Sequence, residues 1–301
     1  MRSLTLKHLR YFDALARHQH FGRAADACAI SQPALSLQIK ELETMFDTLL
    51  VERGARKVVL TAAGEDFLLK ARDVLLSVEE LEDRMRAARG PFAGRFRLGV
   101  IPTVAPYLLP NTIAALSHRF PEIDLELRES VTQSLVRDLL ESRLDAAIVA
   151  LPISEPGLQE FAVFREDFVL VRPTQDADKP VPGPETLKTM RLLLLEEGHC
   201  FRDQALSFCD MTKTQPRQLM EGSSLSTLVQ MVGAGMGVTL IPEMALNLEL
   251  RAANVSVARF PKPSPSRTIG MVWRKSNPLA DQLMQIAAVV RGVGRPEKAV
   301  S

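Results

Sequence analysis

The first 50 residues repeat apolar side chains at the spacing of three short helices. This spacing predicts a first helix over residues 5–17. The Phe-Gly pair at 21–22 is expected to break it, and a short helix is predicted over about 23–27. Ser31 is a good N-cap for a third helix that ends near Met45. Three helices joined by tight turns are typical of a helix-turn-helix.

Residues 49–60 then alternate apolar and polar side chains around Gly54, which predicts a β-hairpin. Arg53, Arg56 and Lys57 lie around its tip, where cations can meet the phosphates of a nucleic acid. Each piece taken alone also fits a small helical bundle followed by a solvated hairpin. The ordered set of helix, turn, second helix and basic hairpin is much more specific for DNA binding.

The charge and the composition are consistent with a DNA-binding N-terminal segment but are not specific for one. The chain has 301 residues, 46% of them hydrophobic and 24% charged, which suits two soluble globular domains. Residues 1–60 hold nine basic and six acidic residues, whereas the whole chain has a net charge of only +1. The longest apolar runs are only a few residues, and the N-terminus lacks the apolar stretch of a secretory signal. We therefore expect a cytoplasmic protein.

A long helix is predicted from Thr61, which can cap it, to about residue 88, before the Arg-Gly-Pro at 89–91. Its apolar residues recur at alternating spacings of four and three, the pattern of a coiled-coil seam. The members of this seam are Phe67, Ala71, Val74, Val78, Leu81 and Met85. We expect a dimer interface here, and the alternative is a helix face packed on its own domain.

Beyond residue 91 strand-like and helical segments alternate, which predicts an α/β sheet. Ligands of such sheets bind beyond the carboxyl ends of strands. Thr103 and Thr132 each follow a predicted strand and precede a helix, so they are candidate ligand-binding residues, and the alternative for both is simple N-capping. The segment GAGMG at 233–237 is not a nucleotide-binding motif.

The chain has three cysteines, Cys28, Cys200 and Cys209. Cys28 lies among alanines of the short helix, where a small buried apolar residue is expected. Cys200 lies near a predicted helix start beside His199 and Arg202, three features that favour the reactive thiolate form. With no CxxC spacing we expect no metal site. Two inert core thiols are the alternative.

Cys200 and Cys209 are nine positions apart. On a continuous helix this separation is about 13 Å of rise and roughly half a revolution. A disulfide needs Cα atoms within about 7 Å. Oxidation must therefore either fail to join these thiols or unwind the segment between them.

The pattern FxxAAxxxxxSQPALSxQIxxLE at residues 21–43, followed by LLVERGARKVVLTAAG, resembles the DNA-binding head of LysR-type transcriptional regulators. The resemblance implies that promoter DNA and RNA polymerase are partners. It also implies a dimer through the linker helix and a tetramer as the full assembly. It implies major-groove contacts by Gln32, Pro33, Ser36 and Gln38, and backbone or wing contacts by Lys40, Arg53, Arg56 and Lys57.

The same resemblance implies the full architecture of an α/β chain. A winged helix-turn-helix would occupy residues 1–60, a dimerising linker helix 61–90 and a redox-sensing regulatory domain 91–301. The regulatory domain would resemble a periplasmic binding protein, with two crossovers near residues 163–168 and 266–268. Its first subdomain would comprise 91–164 and 269–301, and its second 165–268.

The segment GHCFRDQALSFC at 198–209 closely resembles the sensor segment of peroxide-sensing LysR-type regulators, as do IPTVAPYLLP at 101–110 and RTIG at 267–270. The resemblance implies that Cys200 reacts with hydrogen peroxide and then forms a disulfide with Cys209. It implies no cofactor and a peroxide pocket made by Thr103, Thr132, His199, Arg202, Asp203 and Arg267.

Two other hypotheses remain open. In the first, the chain is a LysR-type regulator that responds to a small-molecule inducer, and both cysteines are bystanders. In the second, it is a two-cysteine thiol peroxidase, which shares the same thiol chemistry. The N-terminal 90 residues argue against an enzyme, because a peroxidase has no use for a helix-turn-helix and a basic wing.

Overall fold

The computed structural model describes residues 3–53, 57–87, 94–208 and 220–294. The chain divides into two compact units, residues 1–85 and 86–301. Within the described ranges, no helix is both long and apolar enough to cross a membrane.

The first unit contains three helices, a two-stranded hairpin and a long helix. Its elements are α1 (Leu6–His18), α2 (Phe21–Ala27), α3 (Gln32–Phe46), β1 (Val51–Arg53), β2 (Val58–Leu60) and α4 (Ala62–Ala87). The predicted break at residues 21–22 is wrong. The chain turns at Gln19, which has a left-handed φ of 50°, and His20 caps α2 by accepting hydrogen bonds from two amides of its first turn. Cys28 is half-buried at the C-cap of α2 rather than inside it, and burial raises its pKa.

Hydrogen bonds to a buried glutamate join α3 to the hairpin, and a glycine allows α4 to approach the hairpin closely. Glu43 of α3 is buried and accepts hydrogen bonds from the amides of Leu50 and Val51, at 2.9 and 3.2 Å. Thr61 caps α4 through the amide of Gly64, as predicted. A Cβ atom at Gly64 would lie 2.0 Å from the Leu50 carbonyl oxygen, so only glycine fits where α4 crosses the hairpin.

The predicted seam of α4 divides into two parts. Phe67 packs edge-on against Phe12 with ring centroids 5.1 Å apart, and Ala71 is buried in the same unit. This part follows the alternative of a helix face packed on its own domain. Farther along, Leu81 and Met85 are 58% and 59% exposed, which is unusual for large apolar side chains on one helix face. The predicted dimer interface can therefore use only the second part.

The second unit is built on a nine-stranded sheet within the described residues. Its strands are β3 (Gly94–Val100), β4 (Ile123–Glu129), β5 (Ala146–Leu151), β6 (Leu158–Pro173), β7 (Leu192–Leu195), β8 (Met220–Gly222), β9 (Val238–Pro242), β10 (Val255–Arg259) and β11 (Ser266–Arg274). Its helices are α5 (Ala105–Arg119), α6 (Thr132–Leu140), α7 (Pro184–Thr189), α8 (Cys200–Phe208), α9 (Leu225–Gly233), α10 (Leu246–Glu249) and α11 (Ala280–Gly294). The strand order is β4-β3-β5-β11-β6-β9-β7-β8, with β10 also paired to β6.

Two hydrophobic cores divide this sheet into two subdomains. One core surrounds β3 and β5 and includes Leu98, Ile148 and Trp273; we call this part subdomain I. The other surrounds β7 and β9 and includes Leu194 and Leu240; we call it subdomain II. Buried apolar surface on both sides of the parallel strands explains why these strands read as continuous apolar runs.

The long strands β6 and β11 join the subdomains as one antiparallel ribbon. Both predicted crossovers, 163–168 and 266–268, lie on this ribbon. Arg267 and Glu166 are directly opposite each other in its register. A second connection runs between the helices, where the Tyr107 hydroxyl of α5 donates a 2.6 Å hydrogen bond to Glu249 of α10.

Candidate functional site

A small pocket lies between the subdomains, where the loop after β3 and the starts of α6 and α8 meet. It is lined by Ile101, Pro102, Thr103, Val131, Thr132, His199, Cys200 and Phe201. Three of the six predicted pocket residues, Thr103, Thr132 and His199, are thus brought together with Cys200, the predicted reactive thiol. The pocket also lies beyond the carboxyl end of β3, where α/β sheets bind their ligands.

Thr103 is buried and held by Arg267. The guanidinium Nη1 donates to the Thr103 hydroxyl oxygen at 2.7 Å, and Nη2 donates to its carbonyl oxygen at 3.0 Å. Val104 takes the N-cap position of α5, so the N-capping alternative for Thr103 is wrong. A guanidinium can only donate, and the Thr103 hydroxyl therefore directs its own hydrogen to another acceptor. Thr103 is also one of the residues that line the pocket.

Thr132 is the first residue of α6, and Val131 precedes it as the N-cap. N-capping is therefore wrong for Thr132 as well. Its hydroxyl oxygen is buried and has no hydrogen-bond partner among the described residues. Buried hydroxyls are normally hydrogen-bonded, so an unpartnered one at a pocket wall indicates a bound polar molecule or water.

Arg267 does not line the pocket but stands directly behind Thr103. Its side chain is fully buried and pairs with Glu166, whose Oε1 lies 2.7 Å from both Nε and Nη2. The guanidinium carbon also lies 5.3 Å from the centroid of the Phe201 ring. Arg267 therefore contacts subdomain I through Thr103 and helix α8 through Phe201. Glu166, on the opposite strand β6, balances its positive charge.

Cys200 is the first residue of α8 and is half-buried against the core of subdomain I. Gly198 precedes it with a φ of +96°, a conformation that favours glycine, and this turn brings the chain from β7 into the helix. A thiol at a helix N-terminus faces the positive end of the helix dipole. The helix start, one of the three predicted activating features, is therefore present.

His199 does not act as the predicted cation beside Cys200. Burial lowers the pKa of its imidazole below 6.5, and Glu196 and Glu129 only partly oppose this effect. The ring is therefore neutral at pH 7, with one nitrogen as donor and the other as acceptor. It can hydrogen-bond to a pocket ligand but does not supply a positive charge.

Arg202 and Asp203 lie away from the pocket. The Arg202 guanidinium donates to the Leu195 carbonyl oxygen at 2.8 Å and pairs with Glu221 at 2.7 Å. Asp203 is exposed in the first turn of α8. Their placement in the pocket was wrong because one turn of helix directs successive side chains to different sides.

The helix α8 is continuous from Cys200 to Phe208 and is held by two aromatic contacts. Phe201 packs edge-on against Phe168 with centroids 4.9 Å apart, and Phe208 packs against Phe260 at 5.1 Å. Both pairs belong to the core of subdomain II. Cys209, the predicted disulfide partner, lies outside the described residues.

The predicted DNA-contacting residues of α3 fall on more than one face. Pro33, Ser36 and Lys40 share one side at spacings of three and four, away from the buried Leu35 and Ile39, with Ser36 half-buried at the border. Gln32 is exposed at the first turn.

Gln38 turns toward a different side of α3, where its amide donates to Glu41 at 2.9 Å. Leu37, which the sequence reasoning missed, is 56% exposed on the side of Pro33 and Lys40. In the wing, Lys57 is exposed. Arg56 and the side chain of Arg53 lie outside the described residues.

Comparison with known proteins identifies this architecture. Residues 6–65 match the model of the bacterial regulatory helix-turn-helix protein, lysR family, and residues 89–293 match the LysR substrate binding domain. The chain belongs to the LysR family of transcriptional regulators. The fold follows that family, with an N-terminal helix-turn-helix domain and a regulatory domain of two subdomains.

Two curated LysR-family relatives match nearly the whole chain. The probable hydrogen peroxide-inducible genes activator of Streptomyces viridosporus is 41% identical over 295 residues, covering 96% of this chain and 94% of the relative. The DNA-binding transcriptional dual regulator OxyR of Escherichia coli is 38% identical over 290 residues, covering 96% and 95%.

Solved structures of the LysR family agree. A cysteine-to-aspartate variant of full-length OxyR from Pseudomonas aeruginosa superposes with a TM-score of 0.75 at 35% identity, covering both chains fully. A cysteine-to-serine mutant of Corynebacterium glutamicum OxyR with bound hydrogen peroxide gives a TM-score of 0.66 at 33% identity. That match covers 97% of this chain and 93% of the other.

The neutral state of His199 predicts how acid affects stability. Because the folded-state pKa is lowered, the unfolded chain binds more protons just below pH 6.5, so His199 costs stability as the pH falls through this range. We expect His199→Gln to flatten the loss of unfolding free energy between about pH 6.5 and 5. Denaturant titrations at several pH values measure this. His118→Gln, at an exposed histidine, is the matched control, and equal slopes for wild type and His199→Gln would contradict a lowered pKa.

Proposed function

We propose that this LysR-family regulator is switched by hydrogen peroxide, through oxidation of Cys200 and a disulfide with Cys209. The observation that carries the proposal is the pocket, in which Cys200 at a helix start meets the Thr103 and Thr132 hydroxyls and a neutral His199. Relatives described as hydrogen peroxide-inducible activators, and the solved peroxide-bound relative, support the same ligand.

The reaction needs no cofactor. The Cys200 thiolate attacks one peroxide oxygen, so that an S–O bond forms, the O–O bond breaks and the leaving hydroxide takes a proton to become water. The Cys209 thiolate then attacks the sulfenic sulfur, so that an S–S bond forms, the S–O bond breaks and the leaving hydroxide takes a proton to become a second water. Two thiols are oxidised and one peroxide is reduced, and we infer that the pair serves signalling rather than turnover.

The polarity of the pocket suits a peroxide molecule, which both donates and accepts hydrogen bonds. The Thr103 hydroxyl is a donor because Arg267 occupies its oxygen. Donors of this kind stabilise the negative charge that develops on the leaving oxygen. The Thr132 hydroxyl and the neutral His199 ring can each donate or accept.

The disulfide and the helix α8 exclude each other. From Cys200 to Phe208 the helix rises by about 12 Å, and consecutive Cα atoms are only about 3.8 Å apart. A bond to Cys209 therefore requires α8 to unwind and its aromatic contacts to separate. Each contact contributes about 0.5–1.5 kcal/mol beyond buried area, and closing the new loop stabilises the oxidised state by roughly 2–4 kcal/mol. The free energy lost with the two aromatic contacts is similar to the free energy gained on closing the loop, so oxidation can shift the equilibrium between the two states.

The DNA-binding proposal places α3 in the major groove of promoter DNA, with Pro33, Ser36, Leu37 and Lys40 toward the duplex. The exposed Leu37 side chain suits contact with a thymine methyl group. Pairing of the exposed α4 residues would place two such helices on a two-fold site. We also propose that the regulator acts as a tetramer and contacts RNA polymerase.

The peroxide reaction is tested by treating the reduced full-length protein with one equivalent of hydrogen peroxide and mapping its thiols by mass spectrometry. We expect a Cys200–Cys209 disulfide and changed binding to tandem DNA half-sites. Cys209→Ser should stop at the sulfenic acid, and Cys200→Ser should abolish the response. Cys28→Ser is the control, because burial raises the pKa of that thiol. A peroxide response retained by Cys200→Ser would refute the mechanism and favour a different inducer.

The DNA-facing side of α3 is tested by salt dependence on duplex DNA. Lys40→Ala should reduce the slope of log affinity against log salt by about one for each protomer bound, because one phosphate contact is lost. Leu37→Ala should leave that slope unchanged. Lys262→Ala, at an exposed lysine of the second unit, is the matched control. An unchanged slope for Lys40→Ala would show that this side of α3 does not face the phosphates.

A further inference from the structure

We propose that Glu166 is a positioning residue for the peroxide reaction, which it affects by holding Arg267 in the orientation that turns the Thr103 hydroxyl toward Cys200. Glu166 lies outside the pocket lining and cannot touch a ligand there. The inference rests on the proposed function and adds to it a residue on the crossover ribbon, one layer behind the reacting thiol.

Glu166 and Arg267 form a closely fitted buried pair. The two residues face each other on β6 and β11, and both side chains are buried. Oxygen Oε1 of Glu166 lies 2.7 Å from two guanidinium nitrogens, Nε and Nη2. Its second oxygen accepts from the Met244 amide of subdomain II at 3.4 Å. Two contacts on one edge of a planar guanidinium fix both its position and its rotation.

The adjacent edge of the same guanidinium faces Thr103. There Nη1 and Nη2 donate to the hydroxyl and carbonyl oxygens of Thr103. A rotation of the guanidinium away from Glu166 would break both contacts together, since the group is rigid. The Thr103 hydroxyl would then lose the donor that occupies its oxygen and could turn its hydrogen away from the pocket.

Glu166 also balances the positive charge of Arg267. Arg267 is fully buried, and a buried cation needs a paired carboxylate. Without Glu166 the guanidinium gains by moving toward water or toward another acceptor. Phe201, the neighbour of Cys200, lies beneath it and would feel the same shift. Glu166 is thus the group that keeps Thr103, Arg267 and the first turn of α8 in one arrangement.

The test compares two reactions of Cys200 in the full-length protein, oxidation by hydrogen peroxide and alkylation by iodoacetamide, each followed on the Cys200 peptide by mass spectrometry. The rate of alkylation depends on the solvent accessibility and the thiolate fraction of Cys200, and it does not depend on a hydrogen bond from the Thr103 hydroxyl. We expect Glu166→Ala to slow oxidation by about tenfold or more, the effect of losing one hydrogen-bond donor, with alkylation within about twofold of wild type. Glu166→Gln keeps an acceptor for Arg267 but removes the charge that pairs with it, so its oxidation should be slowed less than that of Glu166→Ala, with alkylation again within about twofold of wild type.

A double variant separates positioning from a merely structural role. Thr103→Val should slow oxidation by a similar factor, and adding Glu166→Ala to it should cause no further loss, because both act through one hydroxyl. Glu185→Ala, at an exposed glutamate that pairs with Lys188, is the matched control. If Glu166→Ala does not fold, Glu166→Asp replaces it, since the shorter carboxylate keeps the charge but loses the reach.

The outcomes are distinguishable. Oxidation of Glu166→Ala or Glu166→Asp at the wild-type rate would overturn the inference and leave the peroxide function intact. Equal losses in oxidation and alkylation, or multiplicative losses in the double variant, would also overturn it. If wild-type Cys200 reacts with peroxide no faster than Cys28, the proposed function fails, and the positioning role fails with it.

Discussion

The antiparallel pairing of β6 with β11 is the contact on which the regulatory half of the molecule depends. It joins two hydrophobic cores through one ribbon and places Arg267 opposite Glu166 where the subdomains meet. The pocket then follows from this ribbon, because Arg267 extends from it to Thr103 on one side and to Phe201 on the other. A change in α8 can reach both subdomains through these contacts.

The continuity of α8 is a second constraint on the proposed switch. Cys200 is the first residue of this helix, whereas the proposed disulfide with Cys209 requires the same helix to unwind. The aromatic pairs of Phe201 and Phe208 hold the helix in the reduced state. In the proposed switch, oxidation exchanges this packing for a covalent bond of comparable stabilising effect.

Local signals predicted much of the fold. Ser31 caps α3 and Thr61 caps α4 as expected, since capping depends on neighbours three residues away. The full length of β6 and the helices α9 and α11 were missed, because buried apolar segments of helices and strands look alike in sequence. Whether such a segment forms a helix or a strand depends on its packing against the rest of the sheet.

The site was predicted less completely than the fold. Strand ends indicated Thr103 and Thr132 as candidate ligand-binding residues, and only the family resemblance grouped them with Cys200. Tertiary structure alone reveals that Arg202 pairs with Glu221 and that burial keeps His199 neutral. Glu166 gave no local signal. A buried arginine in a strand requires a carboxylate partner, yet the sequence does not say which acid lies opposite it.

Hydrogen exchange of the α8 amides is the most direct measurement of the claim that helix and disulfide exclude each other. In the reduced protein the amides of 203–208 should be protected. After one equivalent of peroxide they should lose protection together, while the amides of β7 at 192–195 keep theirs. A Cys200–Cys209 disulfide that forms with α8 protection unchanged would contradict the account.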